Sequence, residues 1–245
     1  MPKIVAVLPA RYESTRYPGK PLVLIAGKPM IQWVYEQTKK ATGMTDVFVA
    51  TDSDKIKNAV EAFGGKAIMT ASNHQTGTDR IIEAMKQIDA DIIVNVQGDE
   101  PTIDPRMIVQ VFEPLVKDPS LEAATLMRKI LNPEDVKNQN IVKITTNLKG
   151  DIITLSRSPI PFHMKDSAVP TFQHLGLYAF KKSFLQQFGK WDQTPIEKTE
   201  SIEIMRAIEH GVRFRAVETT FKSQDVNVPE DVAKVEALMK SQNMK

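Results

Sequence analysis

The 245-residue chain contains no cysteine, which excludes disulfides and thiolate chemistry and fits a reducing compartment. Long apolar runs are missing too. The N-terminal stretch IVAVL ends at Pro9, too short for the apolar core of a signal peptide, and no later run approaches a membrane span. The expected location is cytoplasmic, with no membrane partner. Charge of one sign is not in excess: the formal net charge is +2, without the basic stripe or aromatic interleaving of a nucleic-acid binder. Any anion site must therefore be local. Two glycine fingerprints are absent, the P-loop pattern G-x-x-x-x-G-K-S/T and the dinucleotide pattern G-x-G-x-x-G, and the lack of the second disfavours a dehydrogenase. There is no internal repeat, low-complexity tract or linker. What remains is ordinary globular composition, 42% hydrophobic and 25% charged, sufficient for one α/β domain over 1–245.

Hydrophobic patterning gives the fold class. KIVAVL (3–8) reads as a buried strand, and KPMIQWVYEQTKKA (28–41) as a helix with Pro29 at its start and apolar residues at Met30, Ile31, Val34 and Tyr35. The rhythm repeats in DVFVAT before DKIKNAVEAFGG, in KAIM before TDRIIEAMKQI, and DIIVNV (91–96) makes a fourth strand. Such alternation predicts a mostly parallel sheet with helices on both faces and ligands at the strands' carboxyl ends. From about residue 122 the rhythm changes. AATLMRKI, NIVKITTN, DIITLS and TFQHLGLYAF read as strands with little helix between them, an antiparallel insertion, with TNLKGD as a hairpin turn placing Gly150 at positive φ. PIEKTESIEIMRAIEHG then reads as a helix ending at Gly211, and PEDVAKVEALMK as the last helix. The parts are a nucleotide-binding half (1–121), a strand-rich insertion (about 122–186) whose sheet edge suits a homodimer, and a C-terminal helical part (187–245).

ARYESTRYPGKPL follows the first strand and sets Arg11, Arg16 and Lys20 among Ser14, Thr15 and Gly19. Guanidinium forks, a mobile ammonium and an open backbone suit phosphate; a merely solvated basic loop is the plainer alternative. NVQGDEP (95–101) puts an acidic pair after another strand. Asp99 is placed to hold Mg²⁺ against phosphate oxygens, or else to cap a turn, and Glu100 reads as structural. SNHQTGTDR (72–80) reads either as a base- or ribose-reading loop or as a helix cap at Thr78 or Asp79.

LPARYESTRYPGKPL, ATDS, HQTGTDRI, VNVQGDEP, NIVKI, SRSPIPF and HLGLYAF, in this order, resemble the 3-deoxy-manno-octulosonate (KDO) cytidylyltransferases over nearly the whole chain. The resemblance implies a Rossmann-like nucleotide-diphospho-sugar transferase fold with its antiparallel insertion used for dimerisation. It implies transfer of CMP from CTP to the anomeric hydroxyl of an acid sugar, with Mg²⁺ as cofactor and pyrophosphate released. By position it implies Arg11, Ser14, Arg16 and Lys20 as the triphosphate grip, with Arg11, Lys20 and Asp99 catalytic. Leu8, Pro9, Ala10, Thr70, Ser72, Gly77, Thr78 and Arg80 fall in the cytidine pocket. Gln97, Arg157 and His174 fall at the sugar, Arg157 suiting its carboxylate. Asp99 is the principal metal ligand.

The chain departs from the family pattern where a second metal-binding aspartate is usual, reading Asn227; Asp225, two residues earlier, is expected to point the other way in a strand. It reads Glu203-Ile204 for Glu-Gln at the sugar pocket, Gln173 for arginine and Thr154-Leu155 for Tyr-Phe. These changes point to an acceptor such as 8-amino-3,8-dideoxy-manno-octulosonate, whose ammonium lessens the need for an acid at 227. The alternatives are a CMP transferase for another acid sugar, sialic-acid-like, whose phosphate loop carries more glycine, and a catalytically weakened CTP-binding protein, which would release no pyrophosphate with any acceptor.

Overall fold

The computed structural model describes residues 2–13, 17–164, 169–242 and 244. The chain forms two compact units, one of residues 1–109 with 221–245 and the other of residues 110–220.

In the first unit β1 (Ile4–Ala10) is buried along nearly its whole length, because Ile4-Val5-Ala6-Val7-Leu8 puts apolar side chains on both faces, the signature of a parallel strand covered on each side. β2 (Leu24–Ile25) and β3 (Lys28–Pro29) form a small hairpin. Its turn residues Ala26 and Gly27 both have positive φ, 47° and 82°, the twist a two-residue hairpin demands. Pro29 opens α1 (Met30–Lys39), whose Met30, Ile31, Val34 and Tyr35 are buried as the periodicity predicts. Next come β4 (Asp46–Thr51), α2 (Asp54–Ala62), β5 (Ala67–Met69), α3 (Gly77–Ala84) and β6 (Ile92–Asn95). The strands pair in parallel in the order β6-β1-β4-β5. All four carboxyl ends therefore open on one edge of the sheet, as predicted.

α4 (Pro105–Lys117) leads into the second unit. There β7 (Ala123–Lys129), α5 (Pro133–Lys137), β8 (Lys143–Thr146), β9 (Ile152–Ser156) and β10 (Phe172–Lys181) follow. β7 with β10, β10 with β8 and β8 with β9 are antiparallel, as the change of rhythm predicts. The 147–150 turn has Gly150 at φ 82° and Asn147 Oδ1 accepting the amides of Lys149 and Asp151. α6 (Lys182–Phe188) comes next. The single helix expected over 195–211 is instead two, α7 (Pro195–Glu200) and α8 (Met205–Glu209). The chain reverses at Ser201, φ 51°, and this brings Arg206 Nε and Nη2 onto Glu197 at 2.9 and 2.6 Å. In one continuous helix these residues would be about 13 Å apart along the axis. β11 (Phe214–Glu218), not anticipated, runs parallel to β7.

α9 (Asp231–Ser241) belongs to the first unit, where Val235 and Met239 pack with Ile25, Met30 and Trp33. Among the described residues no helix is long and apolar enough to cross a membrane.

Candidate functional site

Pro9, near the tip of β1, is the point on which two neighbouring loops rest. A Cβ on Gly98 would lie 2.9 Å from the Pro9 carbonyl oxygen, and one on Gly77 3.2 Å from Pro9 Cγ. The turn after β6 can lie against β1 only because residue 98 has no side chain. Between these loops opens a cavity of about 200 Å³, lined by residues 9–11 and 74–77 with Arg80 and Gln97. Arg11 is exposed at its rim. Gln97 donates to Asn95 Oδ1 at 3.2 Å.

Lys20 follows Gly19, whose φ of 70° lets its amide donate to Tyr12 O at 2.8 Å and close the loop. Lys20 Nζ then reaches Asp99 Oδ2 at 2.7 Å and Val226 O at 3.0 Å. The Val226 amide donates to Asp99 O at 2.9 Å. Three distant segments thus meet at the ends of β1 and β6, with a cation and an anion in contact and both partly open to solvent. Ser14 and Arg16 lie outside the described residues.

On the β5 side, Arg80 is 4% exposed. Its Nη1 donates to Thr70 Oγ1 at 2.6 Å and Ala71 O at 3.3 Å, and its Nη2 to Asp52 Oδ2 at 2.7 Å. Arg80 therefore builds the wall of the cavity with a neutralised guanidinium. The cap of α3 is Thr76, in a capping box with Asp79, rather than Thr78 or Asp79. Thr70 and Thr78 are buried and Ser72 exposed. Leu8 is fully buried, so its side chain belongs to the core and offers a nucleotide no surface. Pro9, Ala10 and Gly77 line the cavity directly.

The segment before α9 corrects the expectation for Asp225. Residues 221–227 form no strand, and Asn227 Nδ2 donates to Asp225 Oδ2, so the two side chains meet instead of pointing apart. The Asn227 and Val228 amides donate to Asp231 Oδ2 at 3.0 and 3.2 Å. A carboxylate thus lies beside the neutral side chain of residue 227. Among the described residues no cluster of three or more His, Asp or Glu side chains is arranged to hold a metal ion. A divalent cation at Asp99 would have to take most of its ligands from substrate.

In the second unit, Arg157 Nε, Nη1 and Nη2 donate to the carbonyls of Glu200, Gln139 and Ser201 at 2.6, 2.9 and 3.2 Å. These contacts make it a clamp between loops, not the open fork expected for a sugar carboxylate. Lys143, fully buried, donates to Asn138 O at 3.0 Å, Ile141 O at 2.8 Å and Arg157 O; burial lowers its pKa. Ile204, expected at the sugar pocket, is 2% exposed because an apolar side chain at this place packs inward. His174 Nε2 is buried without a partner among the described residues, and burial pushes its pKa down to about 4. Its ring lies 5.4 Å from that of Tyr178, a residue the sequence reading passed over although it stands in HLGLY. Burial, then the nearby Glu203 carboxylate, raise the Tyr178 pKa, so this hydroxyl stays protonated and can donate. His174, Tyr178 and Glu203 form one polar cluster of this unit.

A cytidylyltransferase family model matches residues 5–240. The 3-deoxy-manno-octulosonate cytidylyltransferase of Geobacter metallireducens is 47% identical to this chain, covering 95% of it and 96% of the relative. That of Solibacter usitatus is 43% identical, with 98% and 95% covered. Among solved structures, a CMP:2-keto-3-deoxy-manno-octonic acid synthetase complexed with CTP matches with a TM-score of 0.94 and 41% identity over 98% of this chain and 99% of its own. A 4-diphosphocytidyl-2C-methyl-D-erythritol synthase from Anaerococcus prevotii, 13% identical with a TM-score of 0.65, shares the fold.

Proposed function

The chain belongs to the 3-deoxy-manno-octulosonate cytidylyltransferases, and from that premise we propose that it transfers CMP from CTP to the anomeric hydroxyl of a KDO-type acid sugar, releasing pyrophosphate. The observation that carries this reading is the meeting of Lys20 with Asp99, 2.7 Å apart, beside a cavity rimmed by Arg11. The sugar oxygen attacks the α-phosphorus as the bond to pyrophosphate breaks, and the hydroxyl proton passes to solvent. Catalysis of this kind is positioning and charge neutralisation. Arg11 stabilises charge at the α-phosphate. Lys20 leaves Asp99 to follow the departing pyrophosphate. Pro9, Ala10, Gly77 and the Arg80–Thr70 wall shape the nucleoside end.

Mg²⁺ is the cofactor on this reading. Asp99 would supply it a hard carboxylate oxygen, and Asn227, whose amide nitrogen is engaged by Asp225, would offer its side-chain oxygen. The ion would neutralise phosphate charge and acidify the attacking hydroxyl. Gln97 is the candidate for a contact to the acid sugar.

Ordinary KDO is the acceptor favoured by the carboxylate retained at Asp225. β9 pairs only with β8 among the described residues, and exposed Ile153 and Leu148 lie on that hairpin; this edge is the proposed homodimer surface. The enzyme acts in the cytoplasm, where CTP is made. The test is pyrophosphate release with CTP and Mg²⁺, comparing KDO, 8-amino-3,8-dideoxy-KDO and a sialic acid. The expected order of kcat/KM puts KDO first. No release with any acceptor overturns the reading.

A further inference from the structure

The sheet order β6-β1-β4-β5 gives the cavity a direction. Arg11 follows β1, and Lys20 meets Asp99 at the tips of β1 and β6, so the charged end of a nucleoside triphosphate lies there. Three strand spacings of about 4.8 Å separate β6 from β5, roughly the span of such a ligand. Its nucleoside end must lie toward the loop after β5.

Four polar side chains line the cavity on that side, His74, Gln75, Thr76 and Arg80, and two of them are already committed. The Thr76 hydroxyl accepts the Asp79 amide at 3.1 Å, and the Arg80 guanidinium is bound by Thr70, Ala71 and Asp52. Gln75 is exposed and no neighbour orients it among the described residues. His74 differs from all three. It lines the cavity, is partly buried, and its Nε2 contacts Glu83 Oε2, which also accepts the Ala71 amide at 3.0 Å. The Ala71 amide, then the His74 contact, hold the Glu83 carboxyl below its usual range. An ionised carboxylate can only accept, so Nε2 carries the proton, and the tautomer is fixed. In the neutral ring Nδ1 is then the nitrogen left to accept from a ligand.

We propose that His74, oriented by Glu83, is a specificity-determining contact to the nucleoside, its Nδ1 accepting from an N–H or O–H donor that CTP presents at the β5 side of the cavity. The donors a cytidine nucleotide offers are the exocyclic amine of the base and the 2′- and 3′-hydroxyls of the ribose. Uracil presents an oxygen in place of the amine, and 2′-deoxyribose lacks the 2′-hydroxyl. The inference rests on the cytidylyl-transfer reading of the site, and a direct binding measurement separates the two.

Titrating CTP, UTP and 2′-deoxy-CTP with Mg²⁺ into the wild-type chain, His74→Ala, His74→Asn and Glu83→Gln by calorimetry tests it, with KM and kcat from pyrophosphate release beside it. His74→Ala is expected to weaken CTP about tenfold, with the loss appearing in KM. If the amine is the donor, this variant narrows the preference for CTP over UTP; if the 2′-hydroxyl is, it narrows the preference for CTP over 2′-deoxy-CTP. His74→Asn, whose side-chain oxygen stands near the place of Nδ1, recovers much of the loss, and Glu83→Gln costs about threefold. CTP affinity within twofold of wild type in His74→Ala overturns the proposal. So does an equal loss for all three nucleotides without recovery in His74→Asn, which would mean that the loop had merely rearranged. If the wild type binds CTP but releases no pyrophosphate, the transfer reading fails while the titrations still decide the role of His74. A wild type that does not bind CTP overturns both.

Discussion

Lys20 Nζ contacts Asp99 Oδ2 at 2.7 Å across 79 residues of sequence. The pair joins the loop after β1 to the turn after β6, and each partner is the other's counter-ion, so neither charge is left alone in the partly buried site.

Lys20→Met and Asp99→Asn should therefore impair turnover far more than folding. Loss of one preorganised charge at a phosphoryl-transfer site costs on the order of 10²–10³ in kcat. A partly exposed ion pair contributes at most about 1 kcal/mol to stability. Steady-state pyrophosphate release and urea denaturation measure the two effects. Near-normal turnover in Lys20→Met would remove the lysine from the reaction.

Gly98→Ala should act through backbone position rather than charge. Its Cβ would stand 2.9 Å from Pro9 O, closer than real contacts allow, so the 97–99 turn must lift off β1 and carry Asp99 away from Lys20. Overpacking of this kind costs about 1–3 kcal/mol. Catalytic loss beyond that of a remote, equally destabilised variant is expected. Thermal melts together with kcat/KM for both proteins check it.

Much of the first unit was legible because its signals are local or periodic. The unbroken apolar run of β1, the glycine stop after α2 and the 3.6-residue spacing in α1 each act within a few residues. Parallel strands place their carboxyl ends on one edge by topology alone, so Lys20 and Asp99 could be expected near each other from the loops they follow. The signals that failed depend on distant partners. Ser201 takes a left-handed conformation without being glycine because the reversal lets Arg206 pair with Glu197. Nothing in NIVKITTN announces that Lys143 is buried with three carbonyl acceptors. Motif position places Leu8 and Ile204 near ligands, whereas their side chains pack into the core. Arg157 stands at the expected place in sequence, but main-chain carbonyls occupy its donors.

The Arg206–Glu197 pair, with both side chains less than a tenth exposed, should be the most sensitive point of the second unit. Removing one partner leaves a buried charge uncompensated, at a cost of about 3–5 kcal/mol. Arg206→Met and Glu197→Gln are each expected to lose this much in urea denaturation. The double variant should recover part of it, because neither charge is then stranded. A double variant as unstable as the sum of the singles would show that the two residues act independently.

His174 gives the second unit a pH dependence whose sign is fixed. Its pKa falls from 6.5 in the unfolded chain to about 4 when folded, because the ring is buried. Between these values the unfolded chain binds the proton that the folded one refuses. The stability associated with neutral His174 is therefore complete above pH 6.5 and is lost as pH falls toward 4, by up to about 3 kcal/mol. Carboxylates titrate over part of the same range, so the comparison that isolates the histidine is wild type against His174→Asn. The wild type is expected to lose more stability than the variant between pH 7 and pH 4, measured by urea denaturation at intervals of half a pH unit. Parallel curves for the two proteins would mean that His174 takes up its proton in the folded state as easily as in the unfolded one, and that the ring reaches solvent.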